Sequence, residues 1–231
     1  MKTRNCKVLV IGAGPGGYVA AIRAGQLGMD TVIVEGQRAG GTCLIRGCIP
    51  SKALIHAAHT FHKLANHAKK GGHMGIRIPG PAELKMKDTV AWKDAIVDRL
   101  NKGVEALLKN AGVEFINGWA QFQDAKTVKI GKGKDALLIQ AENVILANGS
   151  IPVELPFMKF GDHVISSKEA LSLEELPKRI AVVGGGYIGL ELGITFRMLG
   201  SDVTIIEAMD SVLPIFDKEL RRPLEIAIKK Q

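Results

Sequence analysis

Residues 7–35 read KVLVIGAGPGGYVAAIRAGQLGMDTVIVE, and the fold predicted for the chain rests on these residues. A short β-branched run leads into a glycine-rich turn and an Ala-rich helical segment, and Gly28 ends that segment before a second β-branched run reaches Glu35. Continuous apolar runs of this length are typical of buried parallel strands, and glycine is common just after a helix end. The stretch therefore predicts a strand–turn–helix–strand unit of an α/β fold.

The same arrangement recurs at residues 179–207, which read RIAVVGGGYIGLELGITFRMLGSDVTIIE. In each copy a glutamate follows the last motif glycine by 18 residues, Glu35 in the first copy and Glu207 in the second. A repeat of a whole supersecondary unit predicts two similar domains. We therefore expect two Rossmann-like domains, at residues 1–150 and 151–231, the second of them incomplete.

Each glycine motif meets the physical requirements of a dinucleotide-binding turn. The first glycine permits a tight turn, the second lets a pyrophosphate approach the backbone, and the third lets the helix pack closely on the strand. The N-terminal end of the helix offers unpaired N–H groups to the phosphates, and the glutamate is placed to accept hydrogen bonds from an adenosine ribose. The predicted binding residues are Gly12, Gly14, Gly17 and Glu35 in the first site, and Gly184, Gly186, Ile188, Gly189 and Glu207 in the second.

The second site favours NAD over NADP. A carboxylate at Glu207 suits a free ribose 2′-hydroxyl and repels a 2′-phosphate, which would be better served by arginine. The three residues that follow Glu207 contain no arginine.

Two cysteines stand in residues 40–52, which read GGTCLIRGCIPSK. Five residues of regular helix rise about 7.5 Å, which exceeds the Cα separation of about 6.8 Å that a disulfide tolerates. Gly47 and Pro50 allow a distorted helix start that would bring the two sulfurs together. The pair would then lie near the positive end of that helix, close to Lys52, and both factors favour the reactive thiolate.

A zinc site is the alternative for this segment. The spacing of Cys43 and Cys48 is not the Cys-x-x-Cys of common zinc sites. Four histidines follow, but their spacing predicts a loose stripe along a helix rather than a chelating face, so a solvated or partly packed histidine face is favoured over a metal site. They are His56, His59, His62 and His67.

Composition and charge exclude other classes. The chain has 31 basic and 23 acidic side chains and a net charge of +8, but only 5% aromatic residues, and its lysines are scattered. This is not the footprint of a nucleic-acid-binding protein. The early apolar runs are too short to span a membrane, and no signal-peptide core precedes the first strand. We expect a cytoplasmic protein with no nucleic-acid partner and no membrane span.

Together with the two glycine motifs, residues 40–52 resemble the class I pyridine nucleotide-disulfide oxidoreductases, and most closely their dihydrolipoamide dehydrogenase branch. Residues 19–27 and 91–94 resemble the form that serves branched-chain 2-oxo acid dehydrogenase complexes. Glutathione and mercuric reductases share the cysteine spacing but usually carry valine in place of Ile49. The resemblance extends over essentially the whole chain.

The resemblance implies FAD in the first domain, NAD in the second, and oxidation of dihydrolipoamide to lipoamide. It implies that Cys43 is the outer thiol that exchanges with the substrate and that Cys48 is the inner thiol against the flavin. It also implies that Lys52 lies by the reactive nitrogen of the flavin and is ion-paired with Glu191. Further implied cofactor-binding residues are Gly40, Gly41 and Thr42 near the FAD pyrophosphate, Ala120 at the adenine, Gly149 in a turn of the FAD domain, and Tyr187 beside the flavin.

Family members continue for roughly as long again, and that part supplies their acid–base His-Glu pair and their dimer interface. The resemblance therefore implies a homodimer for the full-length protein, a lipoyl domain of a 2-oxo acid dehydrogenase complex as partner, and a 231-residue chain that is inactive alone. Most relatives have threonine in place of Asn148, and Arg46 is expected to face solvent. A related glutathione, mercuric or pyridine-nucleotide reductase and a non-catalytic nucleotide-binding fragment are the open alternatives.

Overall fold

The structure is a computed structural model that describes residues 2–71, 75–133 and 136–230. The chain forms two compact units, the first of Met1–Pro50 with Asp94–Val153 and the second of Ser51–Lys93 with Glu154–Gln231. Each unit is built from two separate stretches of sequence, so the bounds of the units differ from the predicted segments 1–150 and 151–231. The assignment of those two segments to FAD and NAD stays a prediction.

The first unit contains a six-stranded sheet with the order β3-β2-β1-β6-β5-β4. β1 pairs in parallel with β2 on one side and with β6 on the other, and β3 continues the parallel part beyond β2. β4 and β5 add an antiparallel extension next to β6. The strands are β1 (Lys2–Ile11), β2 (Thr31–Glu35), β3 (Glu114–Asn117), β4 (Ala120–Phe122), β5 (Thr127–Ile130) and β6 (Leu137–Leu146).

Apolar side chains cover both faces of β1. Val8 and Val10 belong to one buried cluster and Leu9 belongs to another, because successive side chains of a strand point to opposite faces. Helix α1 (Pro15–Gln26) and the C-terminal part of α4 (Met86–Asn110) pack into the first cluster. This two-sided burial explains why the first strand of the sequence is continuously apolar.

The second unit contains a two-stranded parallel sheet in its described residues, with β7 (Arg179–Val183) beside β8 (Asp202–Ile206). Helix α6 (Tyr187–Leu199) connects these strands, and its buried face includes Leu192, Phe196 and Leu199. The remaining helices of this unit are α3 (Cys48–Lys69), which begins three residues before the unit does, α5 (Ser167–Ala170) and α7 (Lys218–Lys229). The same apolar cluster takes Leu54 and Ala58 from α3.

Both predicted strand–turn–helix–strand segments are present, as β1–α1–β2 and β7–α6–β8, each with a parallel strand pair. The predicted α/β class is confirmed. Among the described helices, none combines the length and the apolar character that crossing a membrane requires.

Candidate active site

Glycine is needed at Gly12 in the turn between β1 and α1, and at Gly17 in the first turn of α1. Gly12 has a φ of +98°, which L side chains rarely adopt. A Cβ on Gly17 would lie 2.9 Å from the carbonyl carbon of Gly12 and nearer still to its oxygen. The helix begins after Gly14, which makes no side-chain cap, and a Cβ at Gly14 would meet nothing closer than 3.7 Å. The first turn of α1 therefore presents open backbone N–H groups above a glycine surface.

The turn between β7 and α6 repeats this geometry. Gly184 has a φ of +106°, and a Cβ on Gly189 would lie 3.3 Å from the carbonyl carbon of Gly184 and nearer still to its oxygen. Gly186 precedes α6 without a side-chain cap, and a Cβ there would meet nothing within 4 Å. The third motif glycine is thus required by helix–strand packing, whereas the second leaves open space.

The two glutamates are held in the same way. The carboxylate of Glu35 accepts hydrogen bonds from the backbone N–H groups of Ala13 at 2.8 Å and Gln37 at 2.9 Å. That of Glu207 accepts from Gly185 at 2.7 Å and Met209 at 2.9 Å.

The hydrogen bonds from the Met209 and then the Gly185 N–H groups lower the pKa of Glu207. Each carboxylate oxygen carries one of these bonds and keeps lone pairs for a further donor.

These features fit the adenosine diphosphate part of a dinucleotide at each turn. The uncapped helix start provides donors for phosphate oxygens, the second glycine leaves room for them, and the oriented carboxylate provides acceptors for ribose hydroxyls. The residues present therefore suit the two dinucleotides that the sequence predicts.

A third glycine segment adjoins the first turn. Gly40 has a φ of +107° and its N–H donates to the carbonyl oxygen of Ala13 at 2.7 Å. A Cβ on Gly41 would overlap Gly14, so the backbone of the first turn and that of α2 (Gly41–Arg46) approach closely only because residue 41 is glycine. Thr42 is exposed in the first turn of α2.

A disulfide joins Cys43 in α2 to Cys48, the first residue of α3. The helix is broken at Gly47, and the two Cα atoms are 4.6 Å apart, well inside the range that a disulfide spans. A Cβ on Gly47 would lie 2.8 Å from the carbonyl oxygen of Thr42, so this tight break also requires glycine. The distorted helix start predicted from Gly47 is present. Cys48 is exposed and Cys43 is half-buried.

The second unit contains the ion pair between Lys52 on α3 and Glu191 on α6. The Nζ atom of Lys52 lies 2.7 and 2.8 Å from the two carboxylate oxygens of Glu191, and the two side chains are 60% and 34% exposed. Glu191 follows the second glycine motif by two residues, so the turn between β7 and α6 also positions this carboxylate.

The other predicted site residues fall at element ends. In the first unit, Ala120 begins β4, and Gly149 follows β6 with a φ of +74°. In the second unit, Tyr187 and Ile188 begin α6 and are 59% and 46% exposed. The described side chains include no group of three or more His, Cys, Asp or Glu that could hold a metal ion.

Sequence reasoning missed several contacts. The guanidinium of Arg46 donates to Gln37 Oε1 at 2.8 Å, so its direction is set by a neighbouring side chain as well as by solvent. Cys6 is buried within β1, and burial raises the pKa of its thiol to about 11. Trp119 is 73% exposed at the end of the sheet that carries Glu35, and no motif signalled it.

Comparison with known proteins gives a consistent family. The family described as pyridine nucleotide-disulphide oxidoreductase matches residues 6–231. The chain is 52% identical over 224 residues to the dihydrolipoyl dehydrogenase of Pseudomonas aeruginosa, covering 96% of this chain and 48% of that protein. It is 44% identical over 225 residues to the dihydrolipoyl dehydrogenase of Geobacillus stearothermophilus, covering 97% and 47%.

Solved structures agree on the fold. The HOCl-induced flavoprotein disulfide reductase RclA from Escherichia coli superposes with a TM-score of 0.79 at 26% identity, covering 97% of this chain and 47% of that one. LpdA from Mycobacterium tuberculosis gives a TM-score of 0.84 at 24% identity, covering 97% and 50%. The chain spans about half the length of the curated relatives it matches. Together with the two glycine turns and the disulfide, these matches show that the chain belongs to the pyridine nucleotide-disulphide oxidoreductase family.

Proposed function

We propose that this chain is the dinucleotide-binding and disulfide-bearing part of a flavoprotein that oxidises dihydrolipoamide to lipoamide with NAD⁺ as final acceptor. The observation that carries the proposal is the Cys43–Cys48 disulfide, which lies in the same compact unit as the first glycine turn. The relatives named dihydrolipoyl dehydrogenase support this substrate over others. Because the chain spans about half their length, the activity is proposed for the whole protein.

The first turn would hold FAD and the second would hold NAD. In the first site, the uncapped start of α1 would bind the pyrophosphate together with Gly41 and Thr42, and Glu35 would accept the ribose hydroxyls. Ala120 and Gly149 complete the set assigned to FAD. In the second site, Glu207 would select NAD over NADP because its carboxylate disfavours a 2′-phosphate.

The disulfide would be reduced by thiol–disulfide exchange. A thiolate of dihydrolipoamide attacks the sulfur of Cys43, so a mixed disulfide forms and Cys48 leaves as a thiolate. The second substrate sulfur then attacks the mixed disulfide, which releases Cys43 and closes the lipoamide ring. Two electrons and two protons pass from the substrate dithiol to the cysteine pair. The chemistry that FAD supplies when bound is two-electron exchange between this dithiol and NAD⁺.

Lys52 and Glu191 would act near the flavin. Their ion pair fixes a cation on α3 four residues after Cys48, with both carboxylate oxygens within 2.8 Å of the ammonium group. A positive charge at this place would stabilise negative charge on the thiolate and on the reduced cofactor. Tyr187 would lie beside the nicotinamide side of the flavin.

The partners and location follow from the same proposal. A substrate dithiol on the lipoyl domain of a 2-oxo acid dehydrogenase complex, assembly as a homodimer and a cytoplasmic location are all proposed for the whole protein. The substrate rests on the names of the relatives, and the lipoyl domain and the homodimer rest on the resemblance of the cysteine segment. The location is the expectation drawn from the sequence.

The proposal is tested by reconstituting the protein with FAD and reducing it with two electrons. The wild type and a Cys6→Ser control should retain the yellow cofactor and develop the long-wavelength absorbance band of a thiolate against a flavin. Cys48→Ser should retain FAD but lose the band. A band that persists in Cys48→Ser, or a protein that stays colourless after reconstitution, would contradict the assignment.

A rate comparison decides the substrate. The whole protein should oxidise dihydrolipoamide with NAD⁺ much faster than it reduces glutathione disulfide or Hg(II) with a reduced pyridine nucleotide. The reverse order would favour the related reductases.

A further inference from the structure

Trp119 lies where the chain leaves β3 next to the end of β2. Asn117 pairs with Glu35 in the parallel register, and the N–H of Gly118 donates to the carbonyl oxygen of Glu35 at 2.8 Å. Trp119 follows directly and precedes β4. The indole is thus carried by the short connection that follows β3, the strand that pairs with the end of β2 at Glu35.

One face of the indole covers Gly36. A Cβ on Gly36 would lie 2.6 Å from Cε2 and 2.7 Å from Cδ2 of Trp119, and 3.0 Å from Cζ2. Cε2 and Cδ2 are the two atoms shared by the five- and six-membered rings of the indole. They are the nearest atoms to Gly36 only if Gly36 lies against the face of the indole and not against its edge. Gly36 therefore forms a flat floor under one face of the ring, and any side chain there would displace the indole.

The other face of the indole is open. Trp119 is 73% exposed, which is unusual for a tryptophan. The floor beneath the ring is held in place, because the side-chain amide of Asn117 donates to the carbonyl oxygen of Gln37 at 2.9 Å and the Gln37 N–H donates to Glu35. The exposed indole face of Trp119 thus lies on a fixed support close to the Glu35 carboxylate, whose oxygens can accept further hydrogen bonds.

We infer that Trp119 is the adenine-binding side chain of the first dinucleotide site: the base stacks on the open face of the indole while Glu35 accepts hydrogen bonds from the attached ribose. This inference rests on the proposed function, since it takes the first turn to be a dinucleotide site. A stacking platform suits the base because every purine has a π face, and stacking contributes roughly 1 to 3 kcal/mol per base, which is about 5- to 150-fold in affinity. FAD contains the whole of ADP, including the adenine and the ribose that this inference concerns, so ADP is a sufficient probe.

The chain has two tryptophans, and this makes a direct test possible. Trp92 lies in the second unit, 45% exposed and with its ring 6.4 Å from that of His56, so it serves as the matched control. In the Trp92→Phe variant, where Trp119 is the sole tryptophan, ADP should quench the emission in a saturable titration. In Trp119→Phe, where only Trp92 remains, the same titration should change the emission little.

Affinity measurements provide the second arm. Trp119→Leu should weaken FAD binding by about tenfold, and Trp119→Phe should weaken it less because a phenyl ring still stacks. The urea midpoint of Trp119→Leu should stay at the wild-type value, since the lost side chain is mostly exposed. A Gly36→Ala variant should weaken FAD binding as well, because its Cβ displaces the ring.

The outcomes separate this inference from the proposed function. If the wild-type chain retains FAD but Trp119 emission ignores ADP, or Trp119→Leu binds FAD with unchanged affinity, the indole does not contact adenine and the proposed function stands. If the whole wild-type protein binds neither FAD nor ADP, both are overturned. A fall in FAD affinity that is accompanied by a lowered urea midpoint in Trp119→Leu would mean that the indole supports the fold instead of the ligand.

Discussion

Two neighbouring glycines of α1, Gly16 and Gly17, should respond in opposite ways to substitution by alanine. A Cβ on Gly16 would meet nothing within 4 Å, so Gly16→Ala should raise the stability of the first unit by about 0.5 kcal/mol through helix propensity alone. A Cβ on Gly17 would overlap the carbonyl group of Gly12, which belongs to a turn whose positive φ leaves it little freedom to shift. Overpacking of this kind costs about 1 to 3 kcal/mol, and a rigid backbone neighbour places the cost near 3.

After allowance for the gain in propensity, Gly17→Ala should be about 2 kcal/mol less stable than the wild type and about 2.5 kcal/mol less stable than Gly16→Ala. With a urea m-value of about 1.5 kcal/mol/M, the midpoints of the two variants should differ by about 1.5 to 2 M. Because the protein has two compact units, the transition of the first is followed by the emission of Trp119 in a Trp92→Phe background. Equal midpoints, or a higher one for Gly17→Ala, would refute the packing argument.

Three further predictions concern ionisable groups. Backbone N–H donors lower the pKa of Glu207 in the folded protein below its ordinary value of 4.5. The contribution of Glu207 to stability is therefore complete above pH 4.5 and is lost as the pH falls through the pKa of the folded state. Carboxyl-carbon NMR should show Glu207 titrating below 4.5, and Glu207→Gln should flatten the pH dependence of the urea midpoint in that acid range. With a pKa of about 11, the thiol of Cys6 is only about one-thousandth ionised at pH 8. In the reduced protein, iodoacetamide should therefore label the two disulfide cysteines well before Cys6, as followed by mass spectrometry. Equal labelling rates would contradict the burial of Cys6. In the Lys52–Glu191 pair the lysine is exposed and the glutamate is half-buried, so solvent screens the pair and Lys52→Met should change the unfolding free energy by less than about 1 kcal/mol. A double-mutant cycle with Glu191→Gln that gave a much larger coupling would show the pair to be structural.

The sequence predicts the parts of the site that depend on local geometry. The turn at Gly12 and the helix packing at Gly17 are consequences of a few neighbouring residues, and the second motif repeats them. The break at Gly47 is also local, since a distorted helix start is needed to close a five-residue cysteine spacing. These features could be read from residue types and intervals because the steric reasons lie within about ten residues of the chain.

The features that escaped prediction depend on contacts between distant residues. β1 pairs with β6, and β4 and β5 extend the sheet in antiparallel fashion. These pairings depend on which strand still has an unpaired edge when the others are in place. The grouping of residues 51–93 with the C-terminal stretch follows from the apolar faces of two long helices, whose partners periodicity does not identify. The stacking of Trp119 on Gly36 joins residues 83 positions apart, and nothing in either segment alone signals it. The Lys52–Glu191 pair was reached only through resemblance to a family.

The central place of β1 has a consequence for synthesis on the ribosome. β1 and its first neighbour β2 are complete by Glu35, but the strand that covers the other edge of β1 starts only at Leu137. At a translation rate of about 5 to 20 residues per second, that edge waits of the order of ten seconds for its partner. During this interval a strongly apolar strand has one row of backbone groups unpaired, and such an edge is a template for pairing with another chain.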